Sequence, residues 1–163
     1  MQVVTAIVVT HNSEHEVGAC LDALRHECSE VIVVDNGSAD GTLEVVRPRP
    51  WVSVVAETEN LGFAGGVNAG ARQASGTYLL LINPDAVLKG SFEPLVAACS
   101  EHGIAAGALT DAAGHIQAGF TVRSLPTPAT LVFECLGLNR FWPGNPVNRR
   151  YRRLDADLTK AAF

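Results

Sequence analysis

Two aspartates stand where apolar runs give way to turns. Asp35 closes Val31–Asp35 (VIVVD) and is followed by Asn-Gly-Ser, while Asp85 follows Leu79-Leu-Leu-Ile-Asn-Pro. Taken singly, each is as readily a turn or helix-capping carboxylate. Together they put two acids on one lip of a sheet. A diphosphate could not rest beside two bare carboxylates without a cation between them. Mg2+ or Mn2+, bound by one or two carboxylates with phosphate oxygens and water, would remove that repulsion. A second cluster is Asn60-Leu-Gly-Phe-Ala-Gly-Gly-Val-Asn-Ala-Gly70. Each glycine in a helix costs roughly 1 kcal/mol against alanine. The stretch therefore reads as a helix whose backbone is closely approached, either by a sheet or by a phosphate or ribose at its N-terminus.

The elements that must position these residues follow from periodicity. Val3 to Thr10 is a β-branched run of the kind buried on both faces of a sheet. Ser13 with Glu16 reads as a capping box opening a helix through Val17, Leu21 and Leu24. Further strands are expected at Val31–Asp35, Trp51–Ala56 and Thr77–Ile82. Helices are expected at Thr42–Arg47, Leu61–Ala74 and from Ser91 to about His102. Strand–helix–strand order predicts an α/β fold, a mostly parallel sheet with helices on both faces. Ligands bind such sheets at the carboxyl ends of the strands. Thr10-His11-Asn12, Asp35-Asn36 and Asn83-Pro84-Asp85 all fall there.

Beyond His102 the pattern changes. Ile104–Thr110 and His115–Phe120 predict a hairpin around Asp111–Gly114, Ser124–Pro128 a loop, and Thr130–Leu138 one helix. After Asn139 no periodicity is read. Trp51 and Trp142 are taken as packing residues, and His15, His26, His102 and His115 as surface or capping residues.

The 163 residues suit one foldable domain, 47% hydrophobic and 18% charged. The net charge of −5 argues against a nucleic-acid binder. Charge is uneven, however: six of the twelve Lys and Arg residues follow Asn139, against two of the seventeen acids. Arg149, Arg150, Arg152 and Arg153 could be a solvated tail or could meet anionic lipid head groups. Cys20, Cys28, Cys99 and Cys135 lack C-x-x-C spacing, so buried thiols in a reducing cytoplasm are expected. No run approaches the ~20 apolar residues of a membrane span, and the N-terminus lacks a secretory pattern.

Four ordered motifs carry a resemblance. Ile7-Val-Val-Thr-His-Asn-Ser13, Val31-Ile-Val-Val-Asp-Asn-Gly-Ser-Ala-Asp-Gly-Thr42, Glu59-Asn-Leu-Gly-Phe-Ala-Gly-Gly-Val-Asn-Ala-Gly70 and Leu79-Leu-Leu-Ile-Asn-Pro-Asp-Ala86 resemble family 2 glycosyltransferases of the GT-A fold. They are most similar to the rhamnosyltransferase-like subgroup that builds cell-surface polysaccharides. The resemblance implies a Rossmann-like donor-binding core over 1–122 and the start of an acceptor-side region with a basic tail over 123–163. It implies a nucleotide-sugar donor with a uracil, thymine or guanine base, and transfer with inversion to a saccharide or lipid-linked acceptor. By position, Thr10, His11 and Asn12 would line the base pocket, and Asp35 would accept the base N–H. Asn60 and Asn68 would border ribose and phosphate. Asn83-Pro84-Asp85 stands at the family's D-x-D motif, with Asp85 the metal carboxylate. Asn83 replaces the first Asp, so it contributes no charge to the metal.

The resemblance also implies an acidic general base further along the chain. Glu134, Asp155 and Asp157 lack the surrounding pattern, so the base is expected beyond Phe163 and the sheet is expected to be cut off on its acceptor side. A non-catalytic nucleotide-sugar-binding remnant is therefore the alternative to an active transferase. A nucleotidyltransferase would want a basic, glycine-rich loop after the first strand, which Thr10-His11-Asn12-Ser13 is not. The expected location is the cytoplasm or the inner face of its membrane, and self-association is expected if apolar surface is left open.

Overall fold

The structure is a computed structural model that describes residues 3–111, 113–117 and 123–155. Contacts divide the chain into two compact units, Met1–Val96 and Ala97–Phe163.

The first unit is built on four parallel strands, β1 (Val4–Thr10), β2 (Glu30–Asn36), β3 (Val52–Glu57) and β4 (Tyr78–Ile82), in the order β3-β2-β1-β4. The alternating β-branched runs make β1 and β2 central and buried on both faces. The edge strands β3 and β4 are only half-buried, and Leu79 and Leu81 of β4 are exposed. One face of the sheet, through Ala6, Val8, Val31 and Val33, packs on α1 (Val17–Leu24) and α2 (Thr42–Val46). The opposite face, through Ile7, Ile32 and Val34, packs on Ala69 of α3 (Gly62–Ala71). The expected α/β sheet with helices on both faces is what forms, a GT-A, Rossmann-like arrangement.

The glycines of α3 set its distance from the sheet. A Cβ added at Gly70 would lie 2.7 Å from Ile7 Cγ2 and 3.1 Å from Val34 Cγ2. One added at Gly66 would lie 2.6 Å from Val9 Cγ1. Gly70→Ala gains up to about 1 kcal/mol of helix propensity but overpacks a rigid core at a cost of about 1–3 kcal/mol. The variant is expected to melt below the parent chain in a thermal scan. A Tm equal to or above the parent's would show that α3 can lift off the sheet without cost.

Several boundaries differ from the sequence expectation. The helix expected from Ser13 begins at Val17, with Glu16 as N-cap and no side-chain cap. Ser13 is used elsewhere: its amide donates to Thr42 Oγ1 at 2.8 Å and its hydroxyl to the His11 carbonyl at 3.4 Å. Helix α3 ends at Ala71, where Gln73 and Ala74 both turn back onto the Gly70 carbonyl. Ser91 caps the fourth helix, α4 (Glu93–His102), as expected, accepting from Glu93 N at 3.1 Å.

In the second unit the expected hairpin is represented, among the described residues, by an antiparallel bridge from Thr110 to Ile116. The Asp111 carboxylate accepts from the amides of Ala113 and His115 and makes the turn. Residues 118–120 of that expected hairpin lie outside the described residues. The single helix expected over Thr130–Leu138 is instead two. Helix α5 (Pro128–Cys135) starts earlier because Thr127 and Thr130 form a capping box with proline behind the cap. It stops before Gly137, whose φ of 65° no ordinary helical residue adopts. Then come α6 (Leu138–Phe141) and α7 (Pro146–Tyr151), the latter capped by Asn145. The tail read as aperiodic therefore contains two helices. Trp51 packs on the core as expected, whereas Trp142 is 60% exposed. Cys20 is buried and Cys28 and Cys99 half-buried, but Cys135 is exposed. Burial pushes the Cys20 thiol up to about 12 and Cys28 to about 11.

Candidate functional site

All the strand-end residues singled out from the sequence lie in the first unit. Register places Thr10 opposite Asp35, on the α1–α2 side of the sheet. Side chains alternate along a strand, so Asn36 points to the α3 side. The two neighbours thus serve different faces.

Asp35 is 1% exposed. Its Oδ1 accepts from Thr10 Oγ1 at 3.0 Å and from Ser38 Oγ at 2.5 Å, and its Oδ2 accepts from Ser38 N at 3.0 Å. The carboxylate therefore shapes the Gly37–Ser38 turn that carries β2 away from the sheet. Gly37 takes φ 66°, and a Cβ there would press on the Glu59 backbone at 3.3 Å. Asn12, at φ 52°, is bound into the same turn. Its amide donates to Ser38 Oγ at 2.9 Å, and its Oδ1 accepts from Ala39 N at 2.8 Å. His11 Nδ1 lies 2.9 Å from the Asn36 carbonyl oxygen. A carbonyl only accepts, so Nδ1 carries the proton, and Nε2 is the acceptor of the neutral ring.

Asn36 stands at the strand-end rim in the sequence reading, which gives it no role of its own. It is 2% exposed; its Nδ2 donates to the Gly62 carbonyl at 3.1 Å, which fixes the amide's orientation. Its Oδ1 is buried with no hydrogen-bond partner among the described residues. A buried acceptor left unpaired costs about 1–3 kcal/mol. The strand alternation was the available signal, since it separates Asn36 from Asp35 and turns it toward the glycine-rich helix.

Asn60 joins this rim indirectly. Its Oδ1 accepts from Gly62 N at 2.8 Å, at the same residue whose carbonyl holds Asn36. Asn68 is exposed six residues along α3, roughly 9 Å from its start at 1.5 Å per residue. The Asn83–Asp85 turn is tied to α1 instead: Cys20 Sγ donates to the Asn83 carbonyl at 3.5 Å. Both Asn83 and Asp85 side chains are exposed, and Asp85 is near enough to add to the upward push on the Cys20 thiol.

The rim thus has two parts, a hydrogen-bonded network over Thr10, His11, Asn12, Asp35 and Asn36, and a solvent-facing carboxylate at Asp85. No group of three or more His, Cys, Asp or Glu able to hold a metal occurs among the described residues. Asp85 and Asn83 are the exposed oxygen-bearing side chains of the turn after β4. Of the acids considered as a base, Glu134 accepts from Asn139 and faces Arg152, and Asp155 pairs with Arg149 at 2.6 Å. Asp157 lies outside the described residues.

With this geometry in place, the resemblances to known proteins are specific. The family model described as "Glycosyl transferase family 2" matches residues 5–145. Glycosyltransferase AglE of Haloferax volcanii is 32% identical over 91 residues, 50% of this chain and 30% of that protein. Poly-beta-1,6-N-acetyl-D-glucosamine synthase of Staphylococcus aureus is 28% identical over 91 residues, 52% of this chain and 22% of that protein. Among solved structures, the mannosyltransferase PcManGT from Pyrobaculum calidifontis, in complex with GDP-Man and Mn2+, aligns with a TM-score of 0.50 at 32% identity, covering 55% of this chain and 29% of that one. S. aureus TarS 1-349 aligns with a TM-score of 0.51 at 30% identity, covering 63% and 33%. The chain thus spans a third or less of the length of these proteins.

Proposed function

The chain belongs to glycosyl transferase family 2, and from that premise we propose that residues 1–122 bind a nucleotide-sugar donor for inverting transfer to a saccharide or lipid-linked acceptor, with 123–163 on the acceptor side. The observation that carries the reading is the strand-end rim: β1, β2 and β4 run parallel and end side by side, so Thr10-His11-Asn12, Asp35-Asn36 and Asn83-Pro84-Asp85 come to one edge of the sheet. With Nδ1 donating to the Asn36 carbonyl, Nε2 of the exposed His11 is left facing a ligand there. Thr10 and Asn12 hold this rim in place, and Asn60 and Asn68 border the ribose and phosphates. Asn83 and Asp85 would hold Mg2+ or Mn2+ against the diphosphate, where the cation's charge would ease departure of the nucleoside diphosphate. The Mn2+ and GDP-Man of the mannosyltransferase neighbour support a metal and a nucleotide sugar. The motif pattern favours the rhamnosyltransferase-like subgroup, with a dTDP-, UDP- or GDP-linked donor used at a cytoplasmic site.

Calorimetry with UDP, dTDP and GDP, each with Mn2+, is expected to show binding by at least one, with Kd in the ~1 μM–1 mM range of enzyme substrates. In His11→Ala the affinity for that nucleotide's nucleoside should fall about tenfold, the equivalent of one hydrogen bond. Absence of heat and of thermal shift with all three would overturn the proposal.

A further inference from the structure

The second unit is turned partly inside out for a body meant to meet only water. Its buried side chains include two asparagines. Asn145 is 0% exposed; its Nδ2 donates to Asn139 Oδ1 at 2.8 Å and to the Trp142 carbonyl at 2.6 Å, and its Oδ1 accepts from Asn148 N at 2.8 Å. Asn148 is 5% exposed and donates to the Pro143 carbonyl. These bonds fix the turn between α6 and α7. The same turn exposes Phe141 at 85% and Trp142 at 60%, and Leu136 and Leu125 stand out at 65% and 90%. A turn so fully hydrogen-bonded is not a failure of packing. It holds two aromatic rings outward.

The same unit carries a cluster of cationic groups. Arg149, Arg150 and Arg153 line an open cleft of about 620 Å³ with Ser124, Pro146 and Asp155. Ser124 is bound to the end of α7, its amide donating to the Tyr151 carbonyl at 2.8 Å and its hydroxyl to the Arg150 carbonyl at 3.2 Å. That places Leu125 beside the cleft. Asp155 pairs with Arg149, and Arg150 and Arg153 have no acidic partner among the described residues. Trp142 sits just before α7 and Arg153 just after it. Trp142 and Arg153 thus flank the same short helix, whose six residues rise about 9 Å.

We propose that one face, comprising Leu125, Phe141 and Trp142 with Arg150 and Arg153, docks the chain on an anionic lipid bilayer. Apolar and aromatic prongs beside arginines match the acyl–headgroup boundary, where tryptophan and arginine each find both their environments. The charge distribution sets the orientation. Six basic residues against two acids lie after Asn139, and six against fifteen before it. An anionic surface therefore attracts the tail by its charge. No helix among the described residues is long and apolar enough to cross a membrane, so the contact is interfacial.

The test is flotation of the 163-residue chain with vesicles of phosphatidylcholine alone and vesicles in which roughly a third of the lipid is phosphatidylglycerol. Binding is expected only to the second. Acyl-brominated lipid should quench tryptophan emission, and Trp142→Phe, which retains the core residue Trp51, should abolish the quenching. Arg150→Gln with Arg153→Gln, and separately Phe141→Ser with Trp142→Ser, should each lower the bound fraction about tenfold. Unchanged far-UV circular dichroism would confirm folding of each variant. Failure to float with anionic vesicles, binding without quenching, or displacement by millimolar inorganic diphosphate with no dependence on Phe141 would overturn the proposal. So would a dimer in solution that the Phe141→Ser variant dissolves, because the face would then belong to a second copy.

Discussion

Asp35→Ala is expected to melt far below the parent chain. The carboxylate is 1% exposed and accepts three hydrogen bonds, from Thr10 Oγ1, Ser38 Oγ and Ser38 N. Alanine leaves all three donors without their acceptor in a space that water enters poorly. Bonds to a charged acceptor contribute about 1.5–3 kcal/mol each, and stranded donors cost comparably. The losses overlap, because the hydroxyls can rotate, so the net is roughly 3–5 kcal/mol. Against a total stability of about 5–15 kcal/mol, that is a large share. At about 2–4 °C per kcal/mol for a chain of this size, Tm should fall by about 6–20 °C. Asp35→Asn should retain most of the stability, since the rotating hydroxyls can accept from its amide. A thermal scan checks both variants. An alanine variant within about 2 °C of the parent would mean that the turn after β2 holds itself without Asp35.

The second large effect is confined to binding. Asp85 is exposed and accepts no hydrogen bond from any described residue, so Asp85→Ala should fold and melt like the parent. What it should lose is the part of nucleoside-diphosphate affinity that appears when Mn2+ is added. Disturbing only the outer shell of a metal site costs about 10–100-fold, and removing the proposed carboxylate ligand should cost at least as much. Affinity for the free nucleoside, which meets no metal, should not change. Calorimetry with and without EDTA separates the two. A Mn2+ increment equal in variant and parent would remove Asp85 from the metal site.

How far the sequence foretold these residues depends on what each one answers to. The central strands were legible because burial on both faces demands β-branched residues without interruption, as in Val4–Thr10 and Glu30–Asn36. The glycines of α3 were legible as a close approach, and the sheet itself supplies it through Ile7 and Val9. Asp35 was legible as a strand-end acid, but its partners are Thr10, in another strand, and Ser38, beyond a left-handed glycine. Tertiary register decides such bonds. Asn36 was placed at the rim but given no role, because turn propensity and a buried acceptor use the same residue type. In the second unit, periodicity failed on helices of four to eight residues, which are too short to show an apolar stripe. Their signals were the caps: Thr127-Pro128 and Asn145-Pro146 each put a capping side chain before a proline at the first helical position. Ser13 shows the converse, since a good cap sequence was diverted when its amide and hydroxyl found partners outside the helix.

The left-handed residues at the strand ends have a consequence for how a ligand would be received. Asn12, Gly37 and Gly62 carry φ of 52°, 66° and 71°, and side-chain bonds pin each of the three turns. The conformational entropy of this rim is therefore spent during folding, when each residue fixed costs about 1–2 kcal/mol. Encounter with a nucleotide need not order the backbone again, so ordering on binding falls mainly on the ligand's own rotatable bonds.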